Sequence, residues 1–598
     1  GDTTLADRAF ADCAQLTSIV LPSSVTAIGD SAFEGCTNLE EMTLPLCGKT
    51  FASYFGESGV PASLKKVMVV GETIPDFAFA YCSDLTTVLL SPDVTSIGQR
   101  AFMGCTGLTS FEVPEGVASI GEAAFMGCSG LDSVDVASGN PNYHVAENCL
   151  IETKTGILLA GFQTSVIPAD GSVTSIGKGA FADQTGLTSL EIPSGVIKIG
   201  EYAFLRCTGL TSITLPEGVV TIGRMAFYGC TGLISVKIPS SVTAIDIGAF
   251  QNCTGLTSIV ITSNVTRVGS TFFAGCTNLK EITLPLCAES LAFYFGRDGV
   301  PASLKKVTVV GDTVLADRAF ADCAQLTSVV LPPELTTIGE SAFDGCTGLE
   351  EITLPLCGET LKDRLGMEAL PDSLKKVTVV GDTALADYAV SDCSQLTSIV
   401  LPSGMTSIGA CAFVGCTGLT EMELPEGLTS LGGGAFRDCS GLISIEIPKG
   451  VTALTYTFMN CTALTEITIP EGVVSLDGTF TGCSGLTAIE IPASVVAIDH
   501  NGIDSHCFAG CTGLTSLVVA SGNPIYHSAG NCLIETASTL LIAGCKTSVI
   551  PDDGSVTVIG TSAFASQTGL TSITIPASVT EIGPYAFYHC TGLTTLEI

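Results

Sequence analysis

The sequence predicts an α/β repeat solenoid. It would be a right-handed coil with one long parallel β-sheet on the concave face and short turns, 3-10 or helical pieces on the convex face. Three observations predict it. A unit reading L-x-x-I-x-L-P-x-x-V-x-x-I-G-x-x-A-F-x-x-C-x-x recurs about every 23 residues through almost all of the 598-residue chain. Ahead of each proline, apolar residues alternate with exposed positions, the period of a strand with one buried face. The period itself, with this leucine spacing, is that of leucine-rich repeats. A solenoid lengthens by adding coils to one continuous core, so 1–598 reads as a single solenoid rather than several domains.

The first full copy shows what each position does. Leu16, Ile19 and Leu21 form the buried side of a strand, and Pro22, which lacks an amide hydrogen, ends it. Val25 and Ile28 point back inward, and Gly29 is expected to allow the next bend. Ala32 and Phe33 sit in a short turn or helical piece whose ring fills the wide half of the core. No coil buries this face alone, and stacking Phe on Phe and Leu on Leu closes it. The F-x-x-C landmark recurs in twenty copies, from Phe10/Cys13 to Phe587/Cys590, with Val390 replacing one Phe and Gln184 and Gln567 replacing two Cys.

Two kinds of longer unit interrupt the spacing. Three, near 45–70, 285–310 and 355–380, begin Leu-Pro-Leu-Cys and end Leu-Lys-Lys-Val. Each carries a helix-like stretch such as Phe51–Phe55 and is expected to be a helical-backed coil. Two others, near 137–168 and 520–551, hold two apolar runs around a turn such as Lys154-Thr155-Gly156, and are expected to be hairpins protruding from one coil. The total is about 25 coils. At about 4.8 Å per strand the sheet would be about 120 Å long.

Composition narrows the partners. There are 59 acidic residues against 24 basic ones, a formal charge of −35. Phosphate backbones and anionic lipid surfaces need basic patches, so neither nucleic acid nor an anionic membrane is expected as a partner. No run of about 20 apolar residues occurs, so no membrane insertion is expected in this segment. The chain starts and stops inside repeats, which suggests a fragment whose export signal, caps and anchor lie elsewhere.

Of the 26 cysteines, 18 share one repeat position. A disulfide or metal framework is one reading. A buried ladder of reduced thiols is preferred, because side chains about 4.8 Å apart with parallel Cβ directions are too far apart for an unstrained disulfide. Metal-ligand residue types gather in the irregular coil holding His500, Asp504, His506 and Cys507, where the alternative is a bulging polar loop. His144 and His527 recur because their blocks are duplicated. No nucleophile elbow, zinc-protease helix or phosphate loop is present, and no catalytic residue, metal or cofactor is assigned; the chain is not expected to be an enzyme.

The exposed strand positions are the candidate binding surface: Thr109, Ser110 and Glu112, and Thr211, Ser212 and Thr214. This surface is rich in Thr and Ser, with interspersed Glu. Tryptophan is absent from the whole chain, so it lacks the strongest of the usual hot-spot residues. Aromatic anchors lie on the inserts, at Tyr54 and Tyr294 in the helical units and Tyr143 and Tyr526 in the hairpins. Local packing is the competing role for all four.

The pattern A-F-x-x-C-x-x-L-x-x-I-x-L-P, together with Asn140-Pro-Asn-Tyr143 and Asn148-Cys-Leu-Ile151, resembles the BspA-like class of bacterial leucine-rich repeats over essentially all of 1–598. The resemblance implies a cell-surface or secreted protein of a host-associated microbe. It also implies adhesion to host extracellular-matrix or cell-surface proteins, or to other microbial cells. It brings no catalytic residues. The expected function is an extracellular protein-binding scaffold; the alternatives are a passive spacer presenting another module and a glycan-binding surface.

Overall fold

The computed structural model describes residues 3–367, 369–499 and 506–598. Gly1–Gly311 and Asp312–Ile598 are two compact units. Each is a parallel β-solenoid with the leucine-rich-repeat fold, and about 26 turns are present in all.

Most regular turns carry two strands where the repeat suggested one. In the first unit the Leu-x-x-Ile-x-Leu-Pro segments form a six-stranded parallel sheet: Ser18–Val20, Glu41–Leu44, Lys66–Val69, Thr87–Leu90, Ser110–Val113 and Ser133–Val136. The Val-x-x-Ile segments form a second series of two-residue strands, such as Ser175–Ile176, Lys198–Ile199, Thr221–Ile222 and Ala244–Ile245. They pair in parallel at a constant 23-residue offset. The single concave sheet with a convex side of turns is therefore corrected to a coil with two sheets. The third side is made of turns, and helix is almost absent. Among the described residues the α-helices are Leu291–Phe295 and Leu361–Leu365, one turn each, and the equivalent Phe51–Tyr54 is a 3-10 turn. A side chain from Ser290 or Thr360 caps each helix, but five residues cannot extend into a helical back.

The turn side is a set of ladders. Phe181, Phe204, Phe227 and Phe250 stack ring on ring at 5.0–5.3 Å with planes within 10°. The residue before each ladder cysteine adopts the left-handed conformation, as at Asp12 (φ 58°), Gly104 (φ 73°) and Asn252 (φ 61°). That is why Gly, Asp and Asn precede cysteine so often. Gly29 does not act through a bend. A Cβ there would lie 2.2 Å from the Asp7 amide nitrogen, so glycine is needed for the close approach of successive turns.

The hairpin blocks do not protrude. Tyr143–Ala146, Cys149–Glu152 and Ile157–Gly161 form an antiparallel meander, and the last strand pairs in parallel with Ser175–Ile176. Cys149, Leu150, Ile151, Leu158 and Ala160 are buried, so the meander carries the core across from one turn to the next. Tyr526–Ala529, Cys532–Glu535 and Leu540–Gly544 repeat the arrangement in the second unit.

Candidate binding surface

The outer face of the first sheet is where the exposed strand residues sit. Thr109, Ser110 and Glu112 are exposed on and beside Ser110–Val113, and Thr211, Ser212 and Thr214 on and beside Ser212–Thr214. Their inward neighbours Phe111, Val113, Ile213 and Leu215 are buried, the alternation a one-faced strand requires. The threonine hydroxyls are largely committed to the fold. Thr211 donates to the Thr188 carbonyl one turn back at 3.1 Å, and Thr86, Thr257 and Thr594 do the same to Lys65, Ile234 and Thr571. Their methyl groups remain for contact.

Like charges meet in register on this face. Glu112 lies opposite Asp135 on the next strand, whereas Glu41 faces Lys66, 3.5 Å away. Val20, Met68 and Leu89 are exposed on the same side of the first unit. In the second unit the face forms a trough lined by Glu421, Glu423, Glu446, Glu466 and Glu490, with Glu426 and Glu471 from the following loops. The sequence pointed to interspersed Glu on this face, not to a gathering of them. Glu446, Glu466 and Glu490 are 23 to 69 residues away from Glu421 and Glu423 along the chain, and a position-by-position reading of the strand columns was the signal that could have gathered them.

The four tyrosines are not surface anchors. Tyr54 and Tyr294 are fully buried, and their hydroxyls donate to the carbonyls of Leu46 and Leu286. In the third unit of this kind Arg364 takes the place. It is buried, and its guanidinium donates to the carbonyls of Pro355, Thr336 and Leu335 at 2.9–3.0 Å. Tyr143 and Tyr526 are also buried, and their phenol oxygens accept from the amides of Ile120 (2.8 Å) and Ile498 (3.1 Å). Each oxygen stands where the carbonyl of one more two-residue strand would, and so closes the edge of a second-sheet segment. Burial pushes the phenols of Tyr54, Tyr143 and Tyr526 up from their ordinary range.

The cysteines form a ladder of donors. Most ladder thiols donate to the carbonyl of the phenylalanine in the preceding turn, as in Cys128 to Phe102 at 3.0 Å and Cys253 to Phe227 at 3.1 Å, whereas Cys323 and Cys393 donate to Ala321 and Ser391 in their own turns. All 26 are unbridged. Burial pushes Cys82, Cys230, Cys276 and Cys439 up to about 12, so these thiols are protonated near neutral pH.

His500 and Asp504 lie outside the described residues. His506 is buried with Nε2 2.8 Å from the Ile542 carbonyl, and Cys507 is buried beside it in sequence. Among the described residues no group of three or more His, Cys, Asp or Glu is arranged to hold a metal ion. His144 and His527 place Nδ1 2.9 Å from the hydroxyls of Thr153 and Thr536 within their own meanders. No helix among the described residues is long and apolar enough to cross a membrane.

Comparison with known proteins adds the following. The family model described as BspA type leucine rich repeat region matches six times, at 3–58, 70–153, 174–294, 313–365, 383–515 and 541–598. A leucine rich cell surface protein from Faecalibacterium prausnitzii A2-165 is 27% identical, with 47% of this chain and 82% of that one covered and a TM-score of 0.37. A leucine-rich repeat protein from Bacteroides ovatus ATCC 8483 is 25% identical, over 71% of this chain and 83% of that one, with a TM-score of 0.32. Among curated proteins, none matches.

Proposed function

Because this chain belongs to the BspA-type leucine-rich-repeat family, we propose that it is a non-catalytic, surface-displayed scaffold that binds proteins through the outer face of its first sheet. The observation that carries this reading is the face itself. Strand after strand presents in-register side chains, Ser189, Ser212, Ser235 and Ser258 among them, over a fully packed interior. Such a face offers many shallow contacts on a fixed spacing, which suits an extended protein partner. The partners proposed are host extracellular-matrix or cell-surface proteins, or proteins on other microbial cells.

Surface-plasmon binding of the whole chain to extracellular-matrix glycoproteins, at physiological salt and with and without calcium, tests it. Saturable binding that is lost in the Ser212→Lys, Thr214→Lys double variant is expected. Binding that survives both lysines moves the contact off this part of the face, and no binding to any matrix glycoprotein counts against the adhesive reading. Both residues are exposed, so the variant should keep the circular dichroism of the parent.

A further inference from the structure

We propose that the trough of the second unit receives an extended cationic segment of a partner polypeptide, lying across the strands. The surface is an unpartnered sheet face. It runs over the strands Ser398–Val400, Glu421–Met422, Ser444–Ile445, Ala488–Ile491 and Ser516–Val519, with the extended segment 466–468 among them.

Charge names the occupant. Two columns of glutamate stand on this face. Glu423, Glu446 and Glu490 are in one column and Glu421 and Glu466 in the other, with Glu426 and Glu471 at the rim. All seven are exposed, and Lys449 is the one cation among the described residues that line the trough. None of the seven has a salt bridge among the described residues, whereas Glu41 on the corresponding face of the first unit pairs with Lys66. Carboxylates held this close repel one another, and a cationic guest relieves that repulsion in a way a neutral one does not.

Shape sets the guest's length. Six segments at about 4.8 Å span about 24 Å, which an extended chain covers with about seven residues. Val400 and Val518, 43% and 42% exposed, stand on the two outermost strands and offer apolar contact to the stems of long basic side chains. A lysine- or arginine-rich strand fits this surface; a compact acidic domain does not.

The inference rests on the protein-binding reading above, and the test separates the two. A fluorescent nine-residue peptide alternating lysine and serine, and its glutamate counterpart, are titrated with the whole chain at 0.15 M salt. The lysine peptide is expected to bind and the glutamate peptide not. The Glu423→Gln, Glu446→Gln, Glu490→Gln variant should weaken lysine-peptide binding about tenfold or more. A control with the same change in charge outside the trough, Glu334→Gln, Glu340→Gln, Glu581→Gln, should change it less than about twofold. These substitutions are isosteric and at exposed positions, so the fold is preserved. Equal weakening by both variants would assign the effect to the −35 charge of the whole molecule and overturn the proposal. So would failure of the lysine peptide to bind. If matrix glycoproteins bind and the trough variant leaves that binding unchanged, the trough proposal falls while the scaffold reading stands.

Discussion

Cysteine at the ladder position is small enough for the interior, and its S–H is a second donor to a carbonyl that already accepts a backbone amide, as Phe227 does from Cys230 at 3.2 Å. Cys207, Cys230, Cys253 and Cys276 all make this bond at 3.0–3.1 Å. A pH dependence follows. An unfolded thiol ionises near about 8.5, whereas Cys230 and Cys276 are held up to about 12 in the fold. Below pH 8.5 both states are protonated and nothing changes. Above it the unfolded chain binds fewer protons than the folded one, so stability falls as pH rises toward 12, by up to about 1.4 kcal/mol per pH unit for each such thiol. Urea unfolding at pH 8 and pH 10 should show a clear drop in midpoint, smaller when Cys230 and Cys276 are replaced by alanine. The burial of these thiols was legible in the sequence from their constant position. Their hydrogen bonds were not, because the acceptor is a backbone carbonyl one turn back, which no residue type announces.

At the scale of the element, the two tyrosines of the meanders show why residue type alone misleads. Tyr143 looks like an interface anchor from its chemistry, yet it is a lid on a sheet edge, its oxygen 2.8 Å from the Ile120 amide. Tyr143→Phe keeps the ring and removes the acceptor, and should cost about 1–3 kcal/mol, with faster hydrogen exchange at the Ile120 amide. An unchanged exchange rate there would refute the role. The first sheet was readable because five or six residues of strict alternation mark a strand. The second was not, because a two-residue strand is too short to show a period of two, and Val-x-x-Ile passes for a turn. Likewise the short apolar runs of 149–161 predicted a hairpin but not that its last strand would pair in parallel with the next turn. In the ring ladder, Phe227 stacks on both neighbours at 5.0–5.1 Å. Phe227→Ala should therefore cost about 3–5 kcal/mol, read by chemical denaturation, because neither neighbour can move into the gap without leaving its own stack.

For the whole molecule, charge is the dominant long-range quantity. A formal charge of −35 sets each solenoid unit against itself, and most of it lies on exposed strands and loops. Screening at 0.15 M salt reaches about 8 Å, close to two strand spacings, so added salt should relieve the repulsion between neighbouring rows. The melting temperature is expected to rise by a few degrees between about 10 mM and 300 mM sodium chloride. A fall would mean that surface ion pairs such as Lys178 with Glu201, 2.5 Å apart, outweigh the repulsion. The acidic character was plain from composition. Its concentration in one trough of the second unit was hidden, because residues 22 to 28 apart in sequence become neighbours only once the turns are stacked in register.

The recurring side-chain bonds between turns share a direction. Ladder thiols and threonine hydroxyls alike donate toward the turn before, across steps of 23 or 26 residues that recur along the chain. The chain therefore has something like a reading frame. A deletion that removes a ladder position breaks the sulfur or ring column there, whereas a turn one residue shorter that keeps those positions holds its place: Phe436, Phe458 and Phe480 stand 22 residues apart and still stack, and Cys461 and Cys483 still reach the carbonyls of Phe436 and Phe458. Removing or adding an entire turn leaves each column intact and merely shortens or lengthens it. Such a molecule can change its reach in whole steps, as a ruler is cut at its marks, while holding the chemistry of its surface to the same grid.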